Sequence, residues 1–284
     1  MTHDHTHMDW TAMLPLLEHG AELRIPLYRQ AASWLTGLLP VGAARRVLDI
    51  GSGPGVLSGL LAETFPYADV VAVDATPELL ERARERTAAF GGRVTTQRAE
   101  LPADTDQLGE ADLVWAGESV HHVGDQRAAL EGLARRLRPG GLLALVEGGL
   151  PPRHLPRDIG VGRPGLESRI EAAQADWFGE MRAALPGARE ETEDWAALLA
   201  SAGLVPAGTR TFLLDIPAPV PAAVREHVVT VFTRIRDGLA ERLLDEDRAT
   251  LDRLLDPDDP AGLHHRPDLY LLVARTVHTA RRAA

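Results

Sequence analysis

The sequence predicts an α/β fold in which helices cover both faces of a doubly wound, mostly parallel sheet. Between Arg45 and Glu147, short apolar runs alternate with amphipathic stretches of helical period, and this alternation is typical of parallel strands joined by helices. A chain of 284 residues is also long enough to bury a core without cross-links. The predicted strands are 47–50, 70–73, 94–97, 113–116 and 142–146, and the predicted helices between them are 56–65, 77–90 and 127–137.

The pattern is less regular beyond Gly148, where prolines and glycines predict an irregular connection. Periodic apolar segments then predict helices over 170–184 and 192–202 and strands over 211–216 and 269–277. These features divide the chain into six segments. They are an N-terminal helical arm (1–40), a ligand-binding core (41–150), an insertion (151–190), a core helix and strand (191–216), a helical insertion (217–267), and a last core strand with the tail (268–284).

Local capping and turn residues support several of these boundaries. Thr76 precedes Pro77 and is a candidate N-cap, because a hydroxyl oxygen can accept a free N–H of the first helical turn. Thr192 and the acidic residues after it predict the start of a later helix. The segment Arg138–Gly141 reads Arg-Pro-Gly-Gly, which predicts a turn between a helix and the fifth strand.

The composition excludes several kinds of chemistry. Cysteine is absent, so disulfides, thiolate metal sites and a cysteine nucleophile are excluded. All 30 basic residues are arginine, which excludes a Schiff-base lysine and a phosphate-loop lysine. The net charge of −11, without an arginine-dense stripe, argues against binding to nucleic acid.

The sequence also lacks the marks of a membrane or exported protein. No apolar run approaches the length of about 20 residues that a membrane helix needs, and the first ten residues lack the pattern of a signal peptide. We therefore expect a cytoplasmic protein. His3, His5 and His7 alternate near the start, but a polar terminus of this kind is usually disordered, so no bound metal is expected. No feature selects an oligomeric state.

The segment Val47–Gly55 carries the clearest sign of a ligand site. An apolar strand runs into the glycine-rich turn Gly-Ser-Gly-Pro-Gly and then into a predicted helix. Glycines allow a tight turn and a close approach of backbone N–H groups to a ligand. The dinucleotide-binding fingerprint G-x-G-x-x-G requires a glycine where this chain has Val56, so the turn differs from that fingerprint.

Asp74 follows the second predicted strand, 23 positions after Gly51. A carboxylate at this place can accept hydrogen bonds from both ribose hydroxyls of a nucleoside. An aspartate after a strand can also simply form a turn. The combination of strand, glycine turn and acidic strand end favours the ligand role.

Five segments together resemble the class I S-adenosylmethionine-dependent methyltransferases, in particular their small-molecule branch. The resemblance implies a Rossmann-like, seven-stranded sheet whose last strand is antiparallel, with S-adenosyl-L-methionine as cofactor and a small-molecule methyl acceptor. It also implies that the chain ends and the two insertions build the acceptor pocket, with the N-terminal arm and the insertions as a lid. The segments are VLDIGSGPG (47–55), VAVDAT (71–76), AEL (99–101), ADLVWAGESVHHVGD (111–125) and LRPGGLLALVE (137–147).

The resemblance assigns roles to individual residues of this chain. The glycine turn would lie under the methionine and ribose, and the aspartate after the second strand would hold the ribose. Ala75, Glu100 and Leu101 would flank the adenine, and residues 117–119 would lie near the sulfonium. At one adenine position family members often have aspartate where this chain has Glu100. The implied cofactor-binding residues are Gly51, Ser52, Gly53, Asp74, Ala75, Glu100, Leu101, Gly117, Glu118 and Ser119.

His121 and His122 are the candidate catalytic residues. Imidazole titrates near neutral pH, so either side chain could remove a proton from an acceptor. We take His122 as the first candidate base, while one histidine of the pair is expected to pack or to contact the cofactor. In the N-terminal arm, Tyr28 and Trp34 either cap the cofactor or acceptor or belong to the core.

Other functions share parts of this pattern. A nicotinamide-dependent oxidoreductase would have the same strand, turn and acidic residue, although Val56 and the segment after the fourth strand disfavour it. A non-catalytic binding protein, or an enzyme that uses the bound cofactor for another reaction, could retain the same scaffold, because a fold does not prove an activity. The acceptor and its reactive atom are left open.

Overall fold

The computed structural model describes Trp10, residues 12–40 and residues 42–284. His3, His5 and His7 lie outside the described residues. The chain divides into two compact units. The first contains the described residues up to Gly149 together with Arg182–Phe212 and Arg275–Ala284, and the second contains Leu150–Met181 and Leu213–Ala274.

Seven strands form one sheet with the order β3-β2-β1-β4-β5-β7-β6. The first five strands pair in parallel. The seventh is antiparallel, because Arg282 at its end exchanges hydrogen bonds with Gly140 and Gly141 near the start of the fifth. This confirms the predicted α/β fold. The strands are β1 (Arg46–Ile50), β2 (Asp69–Asp74), β3 (Val94–Arg98), β4 (Ala111–Gly117), β5 (Leu137–Arg153), β6 (Val205–Ile216) and β7 (Leu271–Arg281).

Helices separate most of the parallel strands along the chain, and a short 3₁₀ segment, Thr105–Gln107, lies between β3 and β4. In the first unit, α1 packs against α2, and α2 and α3 pack against β2. None of the helices within the described residues combines the length and the apolar character needed to cross a bilayer. The helices are α1 (Leu14–Leu38), α2 (Val56–Thr64), α3 (Pro77–Arg86), α4 (Gln126–Arg136), α5 (Leu166–Ala184), α6 (Trp195–Ser201), α7 (Ala222–Gly238) and α8 (Asp245–Leu255).

The central strands form the core of the first unit. Leu48, Val114, Leu143 and Leu145 have no exposed surface, and Trp115 is almost fully buried. Because helices cover both faces of a parallel sheet, both sets of alternating side chains are removed from water. This explains why these strands appear in the sequence as nearly continuous apolar runs.

Several boundaries differ from the sequence prediction: β6 begins at Val205 instead of 211, β7 spans Leu271–Arg281 instead of 269–277, and α5 begins at Leu166 instead of 170. Three further differences involve turns and caps. The predicted turn at Arg138–Gly141 is wrong: these residues lie inside β5, where an irregular register between Ala111 and Leu113 of β4 accommodates the additional residues. The helix predicted over 77–90 ends at Arg86, and a short 3₁₀ segment that includes Gly91 with a positive φ follows it.

The third difference concerns helix caps. The helix predicted to start near Thr192 begins at Trp195, because the Asp194 carboxylate accepts the Ala197 N–H at 3.0 Å. Thr76 occupies the N-cap position of α3, but its side chain makes no capping hydrogen bond. The Thr76 backbone N–H donates instead to Asp74 at 2.9 Å.

Leu143→Ala should destabilise the protein by about 2–5 kcal/mol, because it leaves a cavity in a fully buried strand. Leu213→Ala is the matched control, since 51% of that leucine is exposed and the change should stay within about 0.5 kcal/mol. Urea unfolding followed by circular dichroism measures both. Equal effects of the two changes would contradict the assigned core.

Candidate functional site

The carboxyl ends of the parallel strands bring the predicted site residues to one edge of the sheet. β1 pairs in parallel with β2 and with β4, and β4 pairs in parallel with β5. Asp74 therefore lies at the end of β2, beside the turn that follows β1. Glu118 directly follows β4, at the point where the pairing between β4 and β5 ends. Open α/β sheets bind ligands at this edge.

The turn after β1 lies directly against the segment after β4. A Cβ atom on Gly51 would lie 2.3 Å from Cβ of Ser119, so only glycine fits at this position. The Ser119 hydroxyl donates to the Ile50 carbonyl at 3.2 Å, and the Ser52 N–H donates to the Val73 carbonyl at 3.0 Å. The glycine turn is thus held between β2 and the segment after β4.

Asp74 is bonded to the same turn. Its Oδ2 accepts the Gly53 N–H at 3.0 Å and its Oδ1 accepts the Thr76 N–H at 2.9 Å. Burial raises the pKa of Asp74, although these backbone hydrogen bonds oppose the increase. Hydrogen bonds from the Thr76 side chain and the Ala75 backbone also favour the charged form of Asp74.

The segment after β3 lies beside Asp74. The Ala99 N–H donates to the Asp74 carbonyl at 3.1 Å, and the Glu100 N–H donates to the Asp104 carboxylate at 2.9 Å. Glu100 is exposed, whereas Leu101 is half-buried and packs against the core. Two predicted adenine neighbours are therefore next to the predicted ribose ligand along the sheet edge.

Asp49 is a buried acid that the sequence analysis did not single out. It lies within β1, two residues before Gly51, and its Oδ2 accepts the Ser58 hydroxyl at 2.6 Å. Burial raises the pKa of Asp49 to about 7. An acidic residue inside an apolar run just before a glycine turn is the signal that could have identified it.

Glu118 has an unusual backbone conformation, and its carboxylate accepts several hydrogen bonds. Its φ of +49° places a non-glycine residue in the left-handed region. Its carboxylate accepts hydrogen bonds from Arg24 of α1 at 3.1 and 3.2 Å, from Arg275 of β7 at 2.7 Å and from the Tyr28 hydroxyl. Burial alone would raise the pKa of Glu118, but the charges of Arg24 and Arg275 lower it to about 2.

This cluster changes the interpretation of several side chains. The two arginines were not identified from the sequence, and Tyr28 is a buried hydrogen-bond donor to Glu118. Burial and the neighbouring Glu118 charge raise the pKa of Tyr28. Trp34 instead packs on Phe212, with ring centroids 5.9 Å apart. The Glu118 carboxylate therefore ties α1 and β7 to the segment after β4.

The two neighbouring histidines have opposite electrostatic surroundings. His121 Nδ1 lies 2.7 Å from Oε2 of Glu147, which is only 3% exposed. Burial disfavours the charged imidazole, but the hydrogen bond and the charge of Glu147 raise the pKa of His121. Burial, followed by the charges of His121 and Arg182, lowers the pKa of His122 to about 3.

The side chains of Glu147 and Arg182 hold the backbone of the segment after β4. Oε1 of Glu147 accepts the backbone N–H groups of Val120 and His121 at 3.0 and 3.3 Å. Arg182 donates to the carbonyls of His121 and Val123 at 2.7 and 2.8 Å. The segment Glu118–Val123 is thus fixed by side chains distant in the sequence. Within the described residues, no group of three or more His, Asp or Glu side chains is arranged to hold a metal ion.

Gly51→Ala should destabilise the protein by about 1–3 kcal/mol more than Gly53→Ala. Both glycines have a positive φ, so both changes introduce backbone strain. Only the Gly51 change also forces Ser119 to move, because nothing lies within 4 Å of a Cβ on Gly53. Urea unfolding compares the two variants, and a larger loss for Gly53→Ala would contradict this packing.

The stabilising effect of the Glu118 charge should depend on pH. Because its folded pKa is depressed, the charge stabilises the protein above the ordinary carboxyl pKa, and this contribution is lost as the pH falls toward about 2. Glu118→Gln should therefore lower the free energy of unfolding at pH 7. The difference in this free energy between the variant and the unchanged protein should decrease between about pH 4.5 and pH 2.

Urea unfolding at a series of pH values measures this difference. The matched control is Glu63→Gln, because Glu63 forms an exposed ion pair with Arg29 at 3.4 Å. Such pairs contribute about 1 kcal/mol or less. A difference for Glu118→Gln that does not change with pH would contradict the charged cluster.

Comparisons with known proteins show which proteins this chain is similar to. A protein-family model described as a methyltransferase domain matches residues 48–143. An uncharacterized methyltransferase of Mycobacterium bovis is 34% identical over 206 residues, which cover 70% of this chain and 76% of that protein. A trans-aconitate 2-methyltransferase of Paracidovorax citrulli is 38% identical over 112 residues, 39% of this chain.

The matches differ in how much of each protein they cover. The chain spans 42% of the length of the Paracidovorax citrulli enzyme, which is less than half. A solved structure of an O-methyltransferase family protein from Burkholderia thailandensis has a TM-score of 0.50 at 18% identity, and the match covers 93% of this chain and 57% of that one. This last similarity concerns the fold alone.

Proposed function

The chain belongs to the class I S-adenosylmethionine-dependent methyltransferases, and from that premise we propose that it transfers a methyl group to an oxygen, nitrogen or carbon atom of a small molecule. The observation that carries the proposal is the hydrogen bond from Gly53 N–H to the Asp74 carboxylate. A nucleoside cofactor requires a backbone turn that it can approach closely and a carboxylate that can accept hydrogen bonds from its ribose diol. The Gly53–Asp74 hydrogen bond holds these two features together.

The residues at the sheet edge fit S-adenosyl-L-methionine. Gly51 is exposed and Gly53 is partly exposed in the turn, and the Asp74 carboxylate lies beside this turn through its hydrogen bond with the Gly53 N–H. Glu118 would contribute through its backbone, because its carboxylate is already engaged. The proposed cofactor-binding residues are Gly51, Ser52, Gly53, Asp74, Ala75, Glu100, Leu101, Gly117, Glu118 and Ser119.

The chemistry makes positioning the main task of the protein. When bound, the cofactor supplies an electrophilic methyl group on a sulfonium sulfur. The chain must hold the acceptor atom in line with the methyl carbon and the sulfur, and such positioning can contribute roughly 7–11 kcal/mol. The sulfonium charge disappears during transfer, so a site that excludes water favours the step.

His121 and His122 are the candidates for a proton acceptor, and their environments distinguish them. His122, with a pKa of about 3, is neutral at neutral pH but is a weak base. The raised pKa of His121 makes it the stronger base of the two. We therefore place His121 ahead of His122, which reverses the order expected from the sequence.

The acceptor in this proposal is a small molecule in the cytoplasm. The net charge of −11 disfavours a polyanionic substrate such as nucleic acid. The absence of cysteine is compatible with a reducing compartment. Trans-aconitate, which the name of one relative gives as its substrate, is one acid to include among tested acceptors.

Asp74→Ala should weaken binding of S-adenosylhomocysteine by about 1.5–3 kcal/mol, the usual contribution of charge-assisted hydrogen bonds. Asp74→Asn retains the shape and should also weaken binding. Asp69→Ala is the matched control, because Asp69 is exposed at the opposite end of the same strand. Isothermal calorimetry measures the affinities, and unchanged affinity in both Asp74 variants would remove this residue from the site.

Thermal unfolding with added ligands tests the choice of cofactor. S-adenosylhomocysteine should raise the melting temperature, because a ligand that binds only the folded state stabilises it. NADH should leave the melting temperature unchanged, since Val56 departs from the dinucleotide fingerprint. Stabilisation by NADH alone would indicate an oxidoreductase. Binding of S-adenosylhomocysteine without methyl transfer to any acceptor would indicate a binding protein or another reaction.

A further inference from the structure

We propose that the groove between α1 and β6 binds an acidic peptide, which lies in it as an extended strand along the exposed edge of β6. This α1–β6 groove belongs to the first unit. None of its described lining residues is among the proposed cofactor-binding residues. The inference therefore goes beyond methyl transfer and does not depend on it.

The α1–β6 groove has the size and the mixed chemistry of a recognition site. Its volume is about 570 Å³, and clefts that bind ligands commonly enclose about 300–1,000 Å³. One wall is a flank of α1 and the other wall is β6. The polar and aromatic side chains that line it are those of Arg29, Gln30, Ser33, Trp34, Arg210 and Phe212.

Two aromatic rings form the apolar part of the groove. The ring centroids of Trp34 and Phe212 are 5.9 Å apart, and Phe212 is 3% exposed. Trp34 also packs closely on Gly208 of β6, because a Cβ at that glycine would lie 3.2 Å from Cζ2 of Trp34. The rings are fixed by this packing, so the apolar surface is formed before a partner binds.

Two arginines give the groove a positive charge. Arg210 is exposed, its guanidinium carbon lies 5.1 Å from the Phe212 ring centroid, and it forms no ion pair within the described part of the chain. The Arg29 side chain is 59% exposed, and its ion pair with Glu63 is long, at 3.4 Å. Exposed pairs of this kind contribute little to stability, so Arg29 can exchange Glu63 for a carboxylate of a partner.

The charge of the groove differs from that of the whole chain. None of the described residues that line the groove is acidic, whereas the chain as a whole has a net charge of −11. Complementary charges select the partner and speed its approach. The groove is therefore suited to an anionic partner, although the rest of the surface disfavours one.

β6 supplies backbone groups that a peptide can pair with. It is the outermost strand of the sheet that the described residues form, next to β7. An outermost strand presents a row of N–H and C=O groups to another chain. Thr209, Arg210 and Thr211 beside the groove are exposed. Pro206, near the start of β6, has no N–H, so the row of donors begins after it.

These features together favour an extended peptide that carries carboxylates. A small anion would contact the arginines but would leave the edge of β6 unused. An extended chain adds main-chain hydrogen bonds to the strand, and its side chains provide specificity. Side chains on one face of a strand are about 6–7 Å apart, so acidic and apolar side chains of one peptide can reach different parts of the same groove.

Fluorescence anisotropy with a labelled hexapeptide tests the charge complementarity. The peptide has glutamate at its first and fifth positions, valine at the third and threonine at the others, so the two acids and the valine share one face of a strand. The full chain should bind it at least about tenfold more tightly than the same peptide with lysine in place of both glutamates. Equal affinity, or tighter binding of the lysine peptide, would overturn the proposal.

Methylation of the peptide backbone tests the extended binding mode. One glutamate peptide carries N-methyl groups at its odd positions and another carries them at its even positions. Alternate residues of a strand direct their N–H groups to the same edge, so one methylated peptide should lose affinity at least about tenfold while the other retains it. Equal affinity of the two methylated peptides would contradict strand addition.

Variants of the groove locate the binding site. Arg29→Gln and Arg210→Gln should each weaken binding of the glutamate peptide at least about threefold, and Glu63→Gln should strengthen it by releasing Arg29. Arg135→Gln, at an exposed position of α4, is the matched control and should leave the affinity unchanged. Circular dichroism shows whether the variants fold. Unchanged affinity in folded Arg29→Gln and Arg210→Gln variants would place the peptide elsewhere and overturn the proposal.

The oligomeric state decides whether a second copy of this chain occupies the groove instead. Sedimentation velocity compares the unchanged protein with Arg210→Gln in the absence of peptide. We expect the same state for both proteins. Self-association that Arg210→Gln abolishes would make the groove an interface between copies and would overturn the peptide proposal. Binding of S-adenosylhomocysteine is measured separately, so failure of this proposal is distinguishable from failure of the proposed function.

Discussion

The close approach of the turn after β1 to the segment after β4 is the constraint on which the site depends. Both segments leave neighbouring parallel strands at the same edge of the sheet, and only a glycine at position 51 allows Ser119 to lie against the turn. Because Asp74 accepts a hydrogen bond from Gly53 of the same turn, the proposed ribose ligand is tied to this contact. A shift of either segment would therefore move the whole proposed cofactor site.

Four buried or partly buried acids near this edge have different surroundings and therefore different uses. Asp49 is bonded to Ser58 and has a raised pKa, while Asp74 is stabilised by backbone N–H groups. Glu118 is kept ionised by two arginines, so it acts as an anchor between α1, β7 and the site. Glu147 is bonded to the imidazole of His121 and raises its pKa. Residue type alone does not distinguish these four roles.

The parts of the fold that depend on local patterns were predictable, and the errors have local physical causes. Apolar runs identify β1 to β5, because strands buried on both faces require them. The glycines of Arg138–Gly141 suit either a turn or a β-bulge, so the local sequence does not distinguish the two. The pairing of β5 with β4 places them in a bulge. The helix that starts at Pro77 ends at Arg86, and Gly91, with a positive φ, lies in the 3₁₀ segment that follows.

The sequence by itself determined the family, the glycine turn and the acidic end of β2, because each depends on residues close together in the chain. The tertiary structure alone decided which charges meet. Glu118 is 94 residues from Arg24 and 157 residues from Arg275, and His121 is 26 residues from Glu147. No short-range pattern encodes such pairs, since they form only when the parallel strands and α1 bring their ends to one edge. The same long-range contacts set the pKa values that make His121, rather than His122, the stronger base.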